Sequence, residues 1–143
     1  MTEKLYTGVV TSTGGGRDGH VVSPLGEIDF DVFPPKDMGG KGGAPNPELL
    51  LASAWAACFN GALQLIMKKD GIDVAAHQPE VTAEVNLHKD SEDGGFKLTG
   101  RILVEFADAA SLDDAEGLIK KADAFCPFSK ALRGNFSSEV ELA

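Results

Sequence analysis

Asn46-Pro47-Glu48-Leu49-Leu50-Leu51-Ala52-Ser53-Ala54-Trp55-Ala56-Ala57-Cys58-Phe59-Asn60-Gly61-Ala62-Leu63-Gln64-Leu65-Ile66-Met67-Lys68-Lys69 is the stretch on which the fold turns. From Leu49 to Met67 it has no charged residue, which makes it long enough to be scored as a membrane span. Ser53, Asn60 and Gln64 interrupt it, and no other segment is adapted to lipid, so the membrane reading is rejected. A helix apolar nearly all round also serves as a core helix covered on several sides. Asn46 supplies an N-cap, Pro47 suits the first helical position, and Glu48 puts a negative charge in the first turn. The helix is expected to end near Lys69, closed by Asp70-Gly71. A chain of 143 residues can hardly cover such a helix alone, so an intimate homodimer is expected.

Upstream, the first third reads as strands joined by glycine-rich turns: Leu5 to Thr11, His20 to Ser23, and Glu27 to Phe33. In the last, Ile28, Phe30 and Val32 alternate with Asp29 and Asp31, the period of a strand with one wet face. The Gly- and Pro-rich connection from Pro34 to Pro45 is expected to be an ordered surface loop. Downstream, Val81, Ala83, Val85 and Leu87 alternate with polar residues, as do Phe96, Leu98, Ile102 and Val104, giving a hairpin with its tip at Asp93-Gly94-Gly95. Ser111-Leu112-Asp113-Asp114 resembles a capping box, and Ala115, Leu118, Ile119, Ala122 and Phe125 fall on one face of a second helix. Pro127 begins a further helical turn through Leu132, and Phe136, Ser138, Val140 and Leu142 alternate in a closing strand. The order β-β-β-α-β-β-α-β, with hairpin-linked strands around helices, predicts an α+β protein with mainly antiparallel sheet.

Length fits one domain, residues 1–143, able to bury a core without covalent staples. A net charge of -9 and a pI near 4.7, with Lys and Arg scattered, disfavour nucleic acid, whose phosphates need clustered cations. Two cysteines are too few for a secreted disulfide scaffold, and the N-terminus lacks a signal-peptide profile. A cytoplasmic protein with reduced thiols is expected.

Those two cysteines stand in different settings. Cys58 lies mid-helix among alanines, where burial by itself makes a thiol inert and raises its pKa; a reactive Cys58 needs a positive partner from elsewhere in the chain. Arg17, in Gly14-Gly15-Gly16-Arg17-Asp18-Gly19, is the candidate, against the alternative of a solvated loop arginine. Folded over Cys58, its fixed charge lowers the thiol pKa and its planar fork can bind both peroxide oxygens. Glu48 can orient that guanidinium, or simply complement the helix dipole. It precedes Cys58 by ten residues, about 15 Å of helical rise, so it does not touch the sulfur without a bend. Cys126 stands where an N-cap would, before Pro127, and helix N-termini lower thiol pKa values; a half-exposed, mobile thiol there suits attack on a sulfenic acid at Cys58. A buried nucleophile and a resolving thiol are the equipment of a thiol peroxidase. His20, His77 and His88 lack ligand spacing to either cysteine, so no metal site is expected, and they read as strand or loop residues with solvent-facing rings. No nucleophile elbow or Ser-His-Asp pattern appears.

Together Gly15-Gly16-Arg17-Asp18-Gly19, the loop Pro35 to Gly43, Asn46-Pro47-Glu48, Ala56-Ala57-Cys58-Phe59-Asn60-Gly61-Ala62-Leu63, Cys126-Pro127-Phe128-Ser129 and Arg133-Gly134-Asn135 resemble the organic hydroperoxide resistance (Ohr) family of the Ohr/OsmC superfamily over essentially the whole chain. The pattern departs at Ala44-Pro45, Trp55 and Lys130. The resemblance implies an OsmC-like α+β fold, with sheets wrapped around central long helices in an interlocked, cytoplasmic homodimer. It implies Cys58 as peroxidatic cysteine, Cys126 as resolving cysteine, Arg17 as activating arginine and Glu48 as its carboxylate partner. The implied reaction reduces alkyl and fatty-acid hydroperoxides through a Cys58 sulfenic acid and a Cys58–Cys126 disulfide. It uses no bound cofactor or metal, and the external reductant is a dithiol, dihydrolipoamide or a lipoylated protein. Two alternatives stay open: an OsmC-like thiol peroxidase with another substrate or reductant, and a redox sensor or ligand-binding dimer whose thiols do not turn over.

Overall fold

Glycine punctuation and alternating apolar residues become strands in the first part of the computed structural model, which describes residues 2–143. The chain divides into two units, one ending at Leu50 and the other running from Leu51 to Ala143. In the first, β1 (Thr11–Gly15), β2 (Asp18–Val22) and β3 (Asp29–Val32) form an antiparallel sheet in the order β1-β2-β3. The wet-face reading of β3 holds, with Val32 buried and Asp29 and Asp31 exposed. The first strand, expected from Leu5, starts only at Thr11, and residues 5–10 form no strand. The reason lies in β2, whose pairing with β1 ends at Thr11↔Val22. Beyond it the chain turns back through Ser23–Ile28, held by Ser23 N–H to Ile28 O at 2.8 Å and Gly26 N–H to Ser23 O at 3.1 Å. Leu5 and Tyr6 are left 86% and 85% exposed.

His20 bridges this sheet. Its Nδ1 lies 2.8 Å from Asp31 Oδ1 and its Nε2 2.7 Å from Asp29 Oδ1, so the ring sits between two carboxylates rather than facing solvent freely. Carboxylates only accept, so both contacts are hydrogen bonds only when the imidazole carries two protons. The bonds to Asp31 and Asp29 accordingly raise the His20 pKa above its ordinary 6.5.

The connection after β3 holds one short 3-10 turn, Lys36–Met38, and leads to α1 (Pro47–Lys69). Its start is capped as expected: Leu49 N–H donates to Asn46 Oδ1 at 2.9 Å. Its end is a Schellman closure, with Ile72 N–H to Met67 O at 2.9 Å and Gly71 N–H to Lys68 O at 3.1 Å, Gly71 at φ 75°. By length and composition α1 could cross a membrane, and 22% of its apolar window is buried.

In the second unit, β4 (Pro79–Lys89) and β5 (Phe96–Phe106) make an antiparallel hairpin, and β6 (Ser137–Leu142) adds parallel to β5. Between them lie α2 (Ala115–Phe125) and α3 (Pro127–Leu132). Asp114, rather than Ser111, is the N-cap of α2: its carboxylate accepts from Gly117 N–H at 2.9 Å. Ser111 instead donates to Asp108, closing a preceding 3-10 turn. The core joins three stripes. Trp55, Phe59, Leu63 and Met67 come from α1 at a spacing of four; Ile102, Val104 and Phe106 from the inner face of β5; Leu118, Ile119 and Ala122 from α2. Gly100 continues the β5 face, and a Cβ there would lie 2.6 Å from the Phe136 ring and 2.7 Å from Glu84 O.

Two outcomes test this packing. Gly100→Ala should destabilise the chain by about 1–3 kcal/mol through overpacking, read as a lower urea midpoint at unchanged m-value. His20 should titrate above 6.5 by NMR in the folded chain. Because its pKa is raised on folding, the stabilisation it gives is complete below pH 6.5 and is lost as pH rises through the raised value. His20→Asn should flatten that part of the stability profile.

Candidate active site

Pro127 shapes the neighbourhood of Cys126. Proline disfavours helical geometry in the residue before it, and Cys126 adopts φ -61°, ψ 123°. It therefore ends α2, its N–H donating to Ala122 O at 2.8 Å, and starts α3, its carbonyl accepting from Lys130 N–H at 3.0 Å. An N-cap side chain ordinarily accepts from the free N–H groups of the first turn; that of Cys126 does not. The backbone N–H of Phe128, second residue of α3, works in favour of the charged form of Cys58.

The two thiols are free, and Cys126 lies close enough to Cys58 to bear on its ionisation. Their burial reverses expectation. Cys126 is 0% exposed, not half-exposed, while Cys58 is partly open. On α2 the buried stripe Leu118, Ile119, Ala122 continues at its next turn into Cys126, four residues on. Phe125 turns outward, 41% exposed, with the ammonium groups of Lys69 and Lys130 5.2 and 5.9 Å from its ring. Cys58 lies beside Phe59 at the edge of the α1 stripe, which accounts for its partial exposure. Burial pushes the Cys58 thiol above its ordinary value, the Phe128 N–H works against this, and the neighbouring Cys126 thiol adds to the rise. These surroundings hold Cys58 as a neutral thiol.

The second pair lies in the first unit. Arg17 occupies the tip of the β1–β2 hairpin, after Gly16 at φ 71°, a conformation that excludes most side chains. Its guanidinium grips Glu48 with both arms, Nη1 to Oε2 at 3.0 Å and Nη2 to Oε1 at 2.7 Å. The Arg17 side chain is half exposed, that of Glu48 only 13%. The hydrogen bond lowers the Glu48 carboxyl and raises Arg17, so both stay charged at neutral pH. The four predicted residues thus form two pairs, Arg17 with Glu48 and Cys58 with Cys126.

Two further residues escaped the sequence reading. Trp55 Nε1 donates to Ser129 Oγ at 3.0 Å, with both residues buried. Trp55 precedes Cys58 by three residues and Ser129 follows Cys126 by three, a helical spacing that could have marked them. Among the described residues, no group of three or more His, Cys, Asp or Glu side chains is placed to hold a metal ion.

An α+β chain with two three-stranded sheets and a pair of adjoining thiols falls in the OsmC-like class: the OsmC-like protein family matches residues 40–141. The chain belongs, within that class, to the organic hydroperoxide resistance (Ohr) family. It is 43% identical over 143 residues to organic hydroperoxide resistance protein-like 2 of Staphylococcus epidermidis, covering 99% of this chain and 98% of that one. The crystal structure of the organic hydroperoxide resistance protein OhrB of Bacillus subtilis is similar with a TM-score of 0.85 at 40% identity, covering 98% of this chain and 100% of that one. An organic hydroperoxide resistance protein OsmC from Legionella pneumophila gives a TM-score of 0.88 at 35% identity, covering 99% of both chains. The α+β expectation from strand order is thereby met, with mainly antiparallel pairing and, among the described residues, one parallel pair, β5–β6.

Removing the Cys126 thiol takes away one of the influences that raise Cys58. In Cys126→Ala the pH midpoint for alkylation of Cys58 by iodoacetamide should move to lower pH than in the native chain, and an upward move would refute this account.

Proposed function

We propose that this chain is a cysteine-based peroxidase that reduces organic hydroperoxides to alcohols and is recycled by a lipoyl dithiol. The observation that carries the reading is the contact between a partly open Cys58 and a buried Cys126, both reduced. In the first step the Cys58 thiolate attacks the distal oxygen of ROOH. The O–O bond breaks, the alkoxide leaves and takes a proton as ROH, and Cys58 becomes a sulfenic acid. In the second, the Cys126 sulfur attacks the Cys58 sulfur, water leaves and a disulfide forms. An external dithiol, dihydrolipoamide or a lipoylated protein, then reduces that disulfide by exchange, itself closing to a cyclic disulfide. No metal or bound cofactor takes part.

The raised Cys58 pKa sets what the first step needs, a positive charge facing the sulfur when peroxide binds. Arg17 is assigned this role, with Glu48 holding the guanidinium in a fixed plane. The bidentate 2.7 and 3.0 Å grip supports the orienting role. An apolar entrance formed partly by α1 and the outward Phe128 ring favours alkyl over hydrogen peroxide, since each buried CH₂ contributes about 0.8 kcal/mol.

The same proposal takes the whole chain, 1–143, as one domain in a cytoplasmic homodimer. A family match at residues 40–141 that runs across the junction at Leu50 supports the first point. An apolar α1 window only 22% buried, with Leu5, Tyr6, Val9 and Val10 exposed, supports the second. The neutral resting state of Cys58 favours one competing reading, a redox sensor oxidised once and not cycled.

Steady-state consumption of tert-butyl hydroperoxide and of hydrogen peroxide, with dihydrolipoamide as reductant, tests the proposal. The expected result is turnover favouring the alkyl substrate, absent in Cys58→Ser and reduced about 10²-fold in kcat/KM by Arg17→Ala, the scale for loss of one electrostatic partner of a reacting centre. Turnover by Cys58→Ser would overturn it. Oxidation of the native chain by one equivalent, with no cycling on any dithiol, would establish the sensor.

A further inference from the structure

The Trp55–Ser129 hydrogen bond lies one helical turn from each thiol. Trp55 and Cys58 are three residues apart on α1; Cys126 and Ser129 are the N-cap and third residue of α3. A bridge from an indole N–H to a hydroxyl therefore joins the same stretches of the two helices that carry the thiols. The indole is fixed on its other side as well, its ring meeting Phe136 edge-on at 5.5 Å and 90°. Phe136 in turn covers Gly100, where no side chain fits.

Chemistry makes this bridge matter to the thiols. An indole N–H only donates, and Trp55 is 0% exposed, so without Ser129 it has no water to turn to. Any tilt of α3 that draws Cys126 away from Cys58 must break this bond inside the core. Disulfide closure needs the two Cβ atoms about 3.5–4.5 Å apart and a dihedral near a right angle, and an ångström of misplacement is felt strongly in such intramolecular steps. A cystine-forming pair on two helices otherwise free to slide would lose much of its effective concentration.

We propose that Trp55 and Ser129 are positioning residues for the resolving step: their buried hydrogen bond holds the start of α3 so that Cys126 meets the oxidised Cys58. The role rests on the peroxidase reading for its place in a cycle. The geometry it describes, the readiness of the two thiols to join, holds for any oxidant. Neither residue touches the peroxide, so the first step does not depend on them.

The test separates the steps. Rapid-quench mass spectrometry after mixing with cumene hydroperoxide resolves the peroxide-dependent loss of the Cys58 thiol from the concentration-independent closure of the disulfide. Ser129→Ala and Trp55→Phe should each slow closure by about tenfold while the peroxide-dependent phase stays within about threefold, and both should accumulate Cys58 sulfinic acid in excess peroxide. The disulfide potential, measured in glutathione buffers, should rise by about 30 mV for a tenfold loss in the closure equilibrium. The double variant should match either single one, because both remove the same bond, and Ser129→Thr, which keeps the hydroxyl, should restore most of the effect. Ile102→Val, a core truncation on β5, should lower stability and leave potential and closure rate unchanged. Unchanged potentials in both single variants, or effects that add in the double variant, overturn the proposal. Absence of peroxide-dependent Cys58 oxidation in the native chain would sink the peroxidase reading instead, and the glutathione measurement would still decide the positioning role.

Discussion

A proline directly after Cys126 stops one helix and opens another, and the backbone donors left at that break set up the site. The first N–H groups of a helix have no carbonyl within it, so α3 needs an acceptor from outside. The N–H of Phe128 at that break favours the anionic form of Cys58, against the larger opposing effect of burial. Three residues past the break, Ser129 accepts from Trp55 at 3.0 Å and ties the start of α3 to α1 beside the two thiols. Moved by one residue, the break would aim a different N–H and place a different side chain at the cap.

The core is arranged to hold that break still. The α1 stripe from Trp55 to Met67 repeats every four residues and meets β5 and α2, and the α2 stripe runs on into Cys126. The Cys126 thiol is thus part of the core, not an appendage to it. By contrast, the charged pair Arg17–Glu48 stands on a hairpin tip, partly in water, where its electrostatic energy is small. Its value is geometric: a two-armed grip fixes the plane of a guanidinium in a way that a single contact to lysine would not.

Periodicity and punctuation revealed most of the fold. The cap at Asn46, the closure at Gly71, the hairpin tip near Gly94 and the start of α3 at Pro127 all follow from local chemistry, and the structure bears them out. Features set by pairing or packing at a distance did not show. Leu5 to Val10 have the composition of a strand, but no edge of β2 is left for them. Phe125 and Cys126 compete for the same helical face, and composition favours the phenyl ring; the proline break rotates the thiol inward instead. Ser111 and Asp114 both suit an N-cap, and only the position of Gly117 N–H distinguishes them. At the site, the residue types were legible, whereas the Phe128 backbone donor was hidden because a main-chain N–H leaves no mark in sequence. The resemblance to a known family supplied the pairing of roles that spacing alone left open.

The helix that follows Cys126 has one more property: six residues are far too few for it to persist without tertiary support. That support comes from the core, through the buried Cys126 at its start and the Trp55–Ser129 hydrogen bond at its third residue. Opening residues 127–132 therefore means breaking contacts that water cannot replace, which moves a segment short enough to fray toward the better protected end of the stability range within the molecule. The short helix behaves as a latch held shut from inside.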